Sequence, residues 1–208
     1  MILIYRFLFN TSVMQILKIL IFVLTFINSS TAQQAFSAKN ISHEALKLTK
    51  KKVIYDGSYF SIPYPDGDVP DGIGVCTDVI IRTFRSFNFD LQKEIHEDMT
   101  NNFNSYPRKW GLTKPDPNID HRRVPNLMTY FKRQGAELQI SKKATNYLPG
   151  DIVAWDLGGG IMHIGIVVDI PSINANQYQI VHNIGSGQII EDCLFDFKII
   201  GHYRFNRK

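Results

Sequence analysis

Three residues of this chain are candidates for nucleophilic catalysis, by their type and by the segments in which they lie: Cys76, His163 and His182. A cysteine thiolate is a strong nucleophile, and an imidazole can take up and return a proton near neutral pH. A second imidazole can hold the first one in the tautomer and orientation that this proton transfer requires. Together the three side chains indicate a cysteine hydrolase, provided that the fold brings them close to one another.

Cys76 follows the glycine-bearing loop DGIG and opens the segment CTDVIIRTFRSFNF. Apolar residues recur there at spacings of three and four, which predicts a helix over 76–89 with one buried face. Free backbone N–H groups and the helix dipole favour a thiolate at the first turn, so we expect a lowered pKa for the Cys76 thiol. The Cys76 amide is also a candidate oxyanion donor. Asp78 either interacts with the helix end or tunes the thiol.

His163 opens the run HIGIVV, which is typical of a β-strand. Alternate strand residues share a face, so His163 and Gly165 point to the same side. Because Gly165 has no side chain, we expect the Cys76 helix to approach the sheet there. His182 lies in the following strand and could orient the imidazole of His163. Asn183, which faces the other way, is the alternative orienting group.

The elements that must position these residues change in character along the chain. Segment 41–54 is compatible with a helix, segment 98–120 is loop-rich, and a second helix is predicted over 125–133. Five short runs rich in β-branched and aromatic residues then predict strands over 151–157, 162–170, 178–183, 188–194 and 199–205. This order predicts an α+β domain whose nucleophile helix packs on an antiparallel sheet.

The N-terminus has the features of an export signal. Lys18 precedes an apolar run over 19–27, and Ser30-Thr31-Ala32 supplies small residues for cleavage. The run is too short to span a bilayer comfortably. We predict an exported protein, periplasmic or extracellular, without a membrane span after cleavage. The predicted divisions are a signal peptide over 1–32 (starting at Met1 or Met14), a lead and helix over 33–50, and a hydrolase domain over 51–208.

Composition and charge narrow the classes of function. The 208 residues are 44% hydrophobic, which suits one globular domain. The net charge of +4 falls by two if the signal containing Arg6 and Lys18 is removed, and so weak a charge does not favour nucleic-acid binding. The two cysteines, Cys76 and Cys193, could alternatively form a disulfide after export. Cys76 with the two histidines could in principle bind zinc, but no paired CxxC or HExxH spacing occurs, so we predict neither metal nor cofactor.

A polar run, Asp120-His121-Arg122-Arg123, precedes the second predicted helix. Arginine binds carboxylates through two parallel hydrogen bonds, so this run is a candidate substrate-binding segment for a peptide with free carboxylates. The alternative is a structural salt-bridge cluster with Asp120, Glu97 or Asp98.

The segments GVCTDVI, PGDIVAW, HIGIVV and IVHNIG resemble the NlpC-type papain-like cysteine peptidases. Seven segments between Tyr64 and Phe205 resemble domain-of-unknown-function family 1287, which is usually grouped with that superfamily: YPDGDVPDGIGVCTDVIIR, HEDM, NIDHRRVPNL, PGDIVAW, HIGIV, HNIG and GHYRF. The resemblance implies a papain-like fold with Cys76 as nucleophile, His163 as base and His182 as third member. It also matches Tyr64 to a tyrosine that assists the oxyanion site.

Export, the thiol–imidazole pair and the resemblance together predict a monomeric cysteine peptidase or amidase. Its expected substrate is peptidoglycan or another peptide-like molecule, cleaved through a thioester intermediate. Two alternatives remain open at this point. One is a binding module that recognises wall peptides or a partner without turnover, and the other is an acyltransferase that uses the same Cys–His pair.

Overall fold

The computed structural model describes residues 36–173 and 176–206. The predicted signal peptide lies outside the described residues. The α-helices in the described part are α1 (Ala38–Leu48), α2 (Cys76–Arg85), α3 (Leu91–Asn102) and α4 (Val124–Arg133). The strands are β1 (Ile54–Tyr55), β2 (Ile73–Gly74), β3 (Ile152–Asp156), β4 (Met162–Pro171), β5 (Tyr178–His182), β6 (Ile189–Glu191) and β7 (Lys198–Tyr203). None of these helices has the length and apolar character needed to cross a bilayer.

Strands β3 to β7 form one antiparallel sheet in the order β6-β5-β4-β3-β7, and β1 pairs with β2 in a separate parallel ladder. The predicted α+β class with an antiparallel sheet is confirmed, and each of the five predicted strands is present with boundaries shifted by up to three residues. The sheet is a meander from β3 to β6, and β7 returns to pair with the free side of β3.

The central strands are buried on both faces, and alternation along β4 separates the two. Ile164, Ile166 and Val168 belong to the main core, together with Cys76 and the apolar residues of the helices. The intervening Val167 packs in a second cluster with residues of β3 and with Cys193. We call these two sides the helix-side face and the outer face of the sheet.

Helix α2 begins at Cys76, as predicted, but ends at Arg85 and not at 89. The chain turns out of the helix before Asn88, which has a left-handed φ of 54°. Eight of the ten residues of α2 are buried, all except Arg82 and Arg85, and the helix packs on β4 and α1. The side chain of Asp78 accepts a hydrogen bond from the Val75 N–H at 2.7 Å, which satisfies one of the free donors at the helix start.

Helix α3 was not predicted, because 98–120 was interpreted as loop and the stretch before it is strongly polar. The signal was present in the sequence, since Leu91, Ile95 and Met99 are buried at a spacing of four. Asp90 caps the helix by accepting from the Gln92 N–H at 3.0 Å. The second predicted helix is confirmed as α4, with a proline in its first turn.

Candidate active site

The thiol of Cys76 lies at the first turn of α2 and is nearly buried, with 6% of the residue exposed. It lines a cleft of about 250 Å³. Other side chains in the cleft wall include Tyr55, Lys109, Trp110, Arg122, Arg123 and Met162. The nucleophile predicted from the sequence therefore lies in the wall of a concave site.

Burial raises the pKa of the Cys76 thiol to about 12, and the negative charge of Asp78 adds to the rise. The backbone N–H groups of Ile164, Thr77 and Cys76 favour the thiolate but do not overcome the loss of solvation. The expected lowering of this pKa is therefore wrong for the resting site, because desolvation outweighs the helix N-terminus. The candidate nucleophile rests as a neutral thiol.

His163 occupies the outer face of the sheet. Its ring stacks on Trp155 of the neighbouring strand, with ring centroids 5.8 Å apart. A Cβ placed on Gly165 would lie 2.7 Å from Cγ2 of Ile180 and 3.1 Å from Cβ of His182. The prediction that Gly165 makes room for the Cys76 helix is therefore wrong. The glycine accommodates side chains of β5, because α2 packs against the alternate residues of β4.

The side chains of Cys76 and His163 lie on opposite faces of the sheet at β4. The N–H of Ile164, the residue after His163, acts directly on the thiol of Cys76. The thiol therefore lies beside the first residues of β4, while the His163 imidazole points to the outer face. Within residues 36–173 and 176–206 no hydrogen bond joins this thiol to this imidazole.

A chain of hydrogen bonds continues from His163 across the outer face. Its Nε2 lies 2.7 Å from Nδ1 of His182, and Nε2 of His182 lies 2.8 Å from Oε2 of Glu191. A carboxylate only accepts hydrogen bonds, so it selects the His182 tautomer with the proton on Nε2. Nδ1 of His182 then accepts from the Nε2–H of His163. This arrangement leaves the lone pair of His163 on Nδ1, as a general base requires.

Burial lowers the pKa of His163 to about 3, and the neighbouring His182 adds to this effect. Burial also lowers the pKa of His182, although Glu191 opposes the shift. Both imidazoles therefore rest in the neutral form. His182, and not Asn183, is the hydrogen-bond partner of His163. Glu191 was not identified from the sequence, because its contact with His182 depends on the pairing of β5 with β6.

Asn183 connects two segments of the backbone through hydrogen bonds. Its side-chain amide donates to the carbonyl of Gly74 at 3.1 Å, and its Oδ1 accepts from the Gly185 N–H. Asn183 is completely buried, and it ties the end of β5 to the segment that leads into Cys76.

Two tyrosines differ from the sequence expectation. Tyr64 is 42% exposed and its ring contacts His96 at 5.0 Å, so it does not reach the cleft. The tyrosine beside the thiol is Tyr55, which lines the cleft and whose pKa is raised by burial and by the nearby Cys76. The parallel pairing of β1 with β2 places Tyr55 opposite Gly74, two residues before the nucleophile.

The polar run at 120–123 is mainly structural. The guanidinium of Arg122 forms a two-pronged pair with Asp78 at 3.0 and 3.1 Å and also donates to the carbonyls of Ser58 and Asp56. Both side chains of the pair are only 2% exposed. Arg122 therefore has the structural role that was the alternative to substrate binding. Its partner is Asp78, and not one of the three acids expected from the sequence. These bonds engage all three guanidinium nitrogens and leave little donor capacity for a substrate.

Arg123 is better placed to meet a ligand than its neighbours in the run. It lies over the ring of Trp110 at 4.2 Å in the cleft wall, and it also pairs with Asp120 at 3.1 Å. His121 is buried, and burial together with the positive charges of Arg122 and Arg85 lowers its pKa to about 3. Of the three candidate substrate-binding residues, only Arg123 combines access to the cleft with a partly open guanidinium.

Both cysteines are free, so the disulfide between Cys76 and Cys193 does not form in this structure. The two thiols belong to different clusters of the core, one on each face of the sheet.

The fold and site define an α+β protein with a buried cysteine at a helix start and a histidine pair on the adjoining antiparallel sheet. The sequence model of the family described as "Domain of unknown function (DUF1287)" matches residues 42–205, and the chain belongs to this family. It is also 50% identical over 172 residues to the "Uncharacterized protein YijF" of Escherichia coli (strain K12), an alignment that covers 83% of each chain. Neither description names an activity.

Proposed function

We propose that this protein is an exported cysteine hydrolase with a papain-like, NlpC-type fold that cleaves amide bonds in cell-wall peptides. The observation that carries the proposal is the position of Cys76, at a helix start in a cleft, beside the strand that bears the His163–His182–Glu191 relay. The relay sets the tautomer of His163 that can accept a proton from a thiol.

Because the resting thiol and imidazole are both neutral, the reaction proceeds by general-base catalysis. Nδ1 of His163 takes the thiol proton as the Cys76 sulfur forms a bond to the amide carbon. The imidazolium then protonates the leaving amine as the carbon–nitrogen bond breaks, which leaves a thioester. His163 next takes a proton from water as the hydroxide attacks the thioester carbon. The carbon–sulfur bond breaks to release the acid, and the displaced thiolate takes the proton back from the imidazolium.

This step requires the His163 imidazole to leave the outer face and its hydrogen bond to His182, and to turn toward the thiol with its lone pair on Nδ1. His163 is the second residue of β4 and lies three positions after Gly160, the last residue of a glycine-rich turn at 158–160 in which all three glycines have positive φ. Glycines permit such backbone conformations at little cost, so the start of β4 is the point at which the imidazole can move. Gly160 and Met162 line the same cleft as Cys76.

The cleft suits a peptide that carries free carboxylates. Arg123 and Lys109 supply positive charge, and the exposed ring of Trp110 supplies a flat apolar surface. The amide of Cys76 and the hydroxyl of Tyr55 are the donors that support the developing oxyanion.

The direct test is digestion of purified peptidoglycan by the untagged protein, with released fragments identified by mass spectrometry. We expect Cys76→Ala to lower the rate by at least about 10⁴-fold, because removal of the nucleophile from a catalytic unit has effects of this size. Circular dichroism should show that the variant is folded. Equal cleavage by the wild type and Cys76→Ala would reject the proposal.

A matched pair of tyrosine variants tests the oxyanion site. Tyr55→Phe should reduce kcat by about 10²-fold, which is the lower end of the loss for one oxyanion donor. Tyr64→Phe should leave kcat unchanged, because that ring lies against His96 outside the cleft. If Tyr64→Phe is the slower enzyme of the two, the assignment of Tyr55 is wrong.

The second candidate function is a wall-peptide binding module, and the raised pKa of Cys76 favours it. A module would bind peptidoglycan fragments with the same affinity before and after Cys76→Ala and would release no products.

Acyl transfer is distinguished in the cleavage assay by adding an amine acceptor, since a transferase would yield a new amide product detectable by mass.

A further inference from the structure

A second group of reactive side chains lies on the outer face, at the far end of the histidine relay. One ligand atom each from His182, Glu191 and Cys193 lies within 4.8 Å of the other two. Nε2 of His182 is 2.8 Å from Oε2 of Glu191 and 3.9 Å from Sγ of Cys193. The proposed hydrolysis uses neither the thiol of Cys193 nor the outward side of Glu191.

The three donor types are those that bind zinc in proteins. Tetrahedral zinc with bonds of about 2.0–2.3 Å to nitrogen, oxygen and sulfur holds its ligand atoms about 3.4–3.6 Å apart. The sulfur–nitrogen separation is already close to this value. The nitrogen–oxygen separation must widen, and Glu191 can do this because its side chain is 45% exposed.

The ligands are held in place by their surroundings. Nδ1 of His182 is bonded to His163, so the nitrogen that faces the cluster is Nε2. A second hydrogen bond on the far nitrogen of a zinc-binding histidine fixes its ring and strengthens its binding. Cys193 is buried in the outer-face cluster, and its neighbour Leu194 accepts a hydrogen bond from Trp155 Nε1 at 2.9 Å.

Access to the cluster differs among the three ligands. His182 and Cys193 are buried, whereas the Glu191 carboxylate faces solvent. An ion could therefore enter from the Glu191 side, and a fourth ligand from solvent would complete the shell. Three protein ligands with one open position are typical of zinc sites that exchange a water.

We propose that Nε2 of His182, the carboxylate of Glu191 and the thiolate of Cys193 form a zinc site on the outer face of the sheet. The site is separate from the cleft, because neither Glu191 nor Cys193 lines it. Binding of the ion releases the thiol proton of Cys193 and replaces the His182–Glu191 hydrogen bond with two metal–ligand bonds. The proton of His182 is then on Nδ1, which donates it to Nε2 of His163, so the direction of the resting His163–His182 hydrogen bond is reversed.

The test measures bound Zn²⁺ by elemental mass spectrometry after equilibrium dialysis of the reduced, untagged protein. We expect one zinc per chain for the wild type. Glu191→Gln should weaken zinc binding by at least about tenfold, since even loss of a partner outside the ligand shell costs 10- to 100-fold. Asp192→Asn is the matched control, because Asp192 instead pairs with Ser172 and with Gln177 at 2.6 Å, and it should bind zinc like the wild type.

Co²⁺ provides a second readout that identifies the thiol. The cobalt-loaded protein should show a sulfur-to-metal charge-transfer band that persists in Cys76→Ala and disappears in Cys193→Ser. If the Cys193→Ser chain does not fold, Glu191→Gln decides, because that residue is at the surface. Failure of the wild type to retain zinc, equal retention by Glu191→Gln, or loss of the band only in Cys76→Ala would each overturn the proposal.

Discussion

Two groups of buried ionisable side chains differ in charge, one on each side of the sheet. On the helix-side face, Asp78 and Arg122 form a fully buried ion pair whose hydrogen bonds connect α2 with the loop at 56–58 and the helix start at Val75. On the outer face, His163 and His182 are buried as neutral rings. Glu191, the carboxylate at the end of their series of hydrogen bonds, reaches solvent.

This difference assigns the two regions different roles. A buried carboxylate and guanidinium that satisfy each other are costly to separate, so they fix the position of the Cys76 loop. Neutral imidazoles in a hydrogen-bonded chain can exchange protons or accept a metal without exposing a buried charge. The Asp78–Arg122 pair therefore fixes the position of Cys76. The hydrogen-bonded imidazoles on the outer face are the groups whose protonation or ligands can change.

The largest expected effect is on the helix-side pair. Asp78→Ala should lower the free energy of unfolding by about 3–5 kcal/mol, because it leaves the Arg122 charge buried without its partner. Chemical denaturation followed by tryptophan fluorescence measures the change.

Asp71→Ala is the control for that measurement. Asp71 pairs with Lys51 at the surface, with 85% of its side chain exposed, and its loss should have little effect on unfolding. If both variants lower the free energy of unfolding equally, the Asp78–Arg122 pair does not stabilise the region around Cys76. The two groups of buried residues would then not differ in the way described.

A smaller effect is expected from crowding the outer face. Gly165→Ala places a methyl group 2.7 Å from Ile180 and displaces β5, with a loss of about 1–3 kcal/mol in the free energy of unfolding. Gly57→Ala meets only Val75, at 3.9 Å, and should be close to neutral. A neutral Gly165→Ala would mean that β5 is not packed against Gly165, and the position of His182 would have to be revised.

The elements were predictable from the sequence wherever one regular pattern was enough. Runs of β-branched and aromatic residues located the five strands, and the apolar spacing after Cys76 located the start of α2. Alternation also grouped His163 with Gly165 correctly. Alternation does not show which side of β4 the helices cover, because both sets of alternate residues include apolar members. The sequence therefore predicted that His163 faces the helices, whereas it lies on the other face of the sheet.

The site was less predictable because several of its contacts join residues distant in the sequence. Glu191 reaches His182 only through the register of β5 and β6, and Tyr55 reaches the cleft only through the short β1–β2 ladder. Arg122 was assigned to substrate or to nearby acids, whereas its partner Asp78 lies 44 positions away. Such pairings depend on tertiary packing, for which local periodicity carries no information.

The smallest expected effect at neutral pH concerns His121, a buried imidazole next to Arg122 in the sequence. Unlike His182, it has no hydrogen-bond partner at Nδ1, and its pKa is lowered to about 3 by burial, Arg122 and Arg85, with Asp68 and Asp116 opposing. In the unfolded chain an imidazole binds a proton below about pH 6.5, whereas folded His121 does not until about pH 3. The free energy of unfolding therefore falls as pH drops through this window, by up to about 1.4 kcal/mol per pH unit.

The substitution His121→Leu removes this proton uptake and keeps a side chain of similar bulk. Its unfolding free energy should depend less steeply on pH than that of the wild type between pH 6.5 and 5, and subtracting the two curves cancels the contribution of the carboxyl groups. Parallel curves would show that His121 is protonated in the folded protein. The neutral, buried imidazole would then be special to the outer face, where His182 and Glu191 hold it, and not a general consequence of burial in this domain.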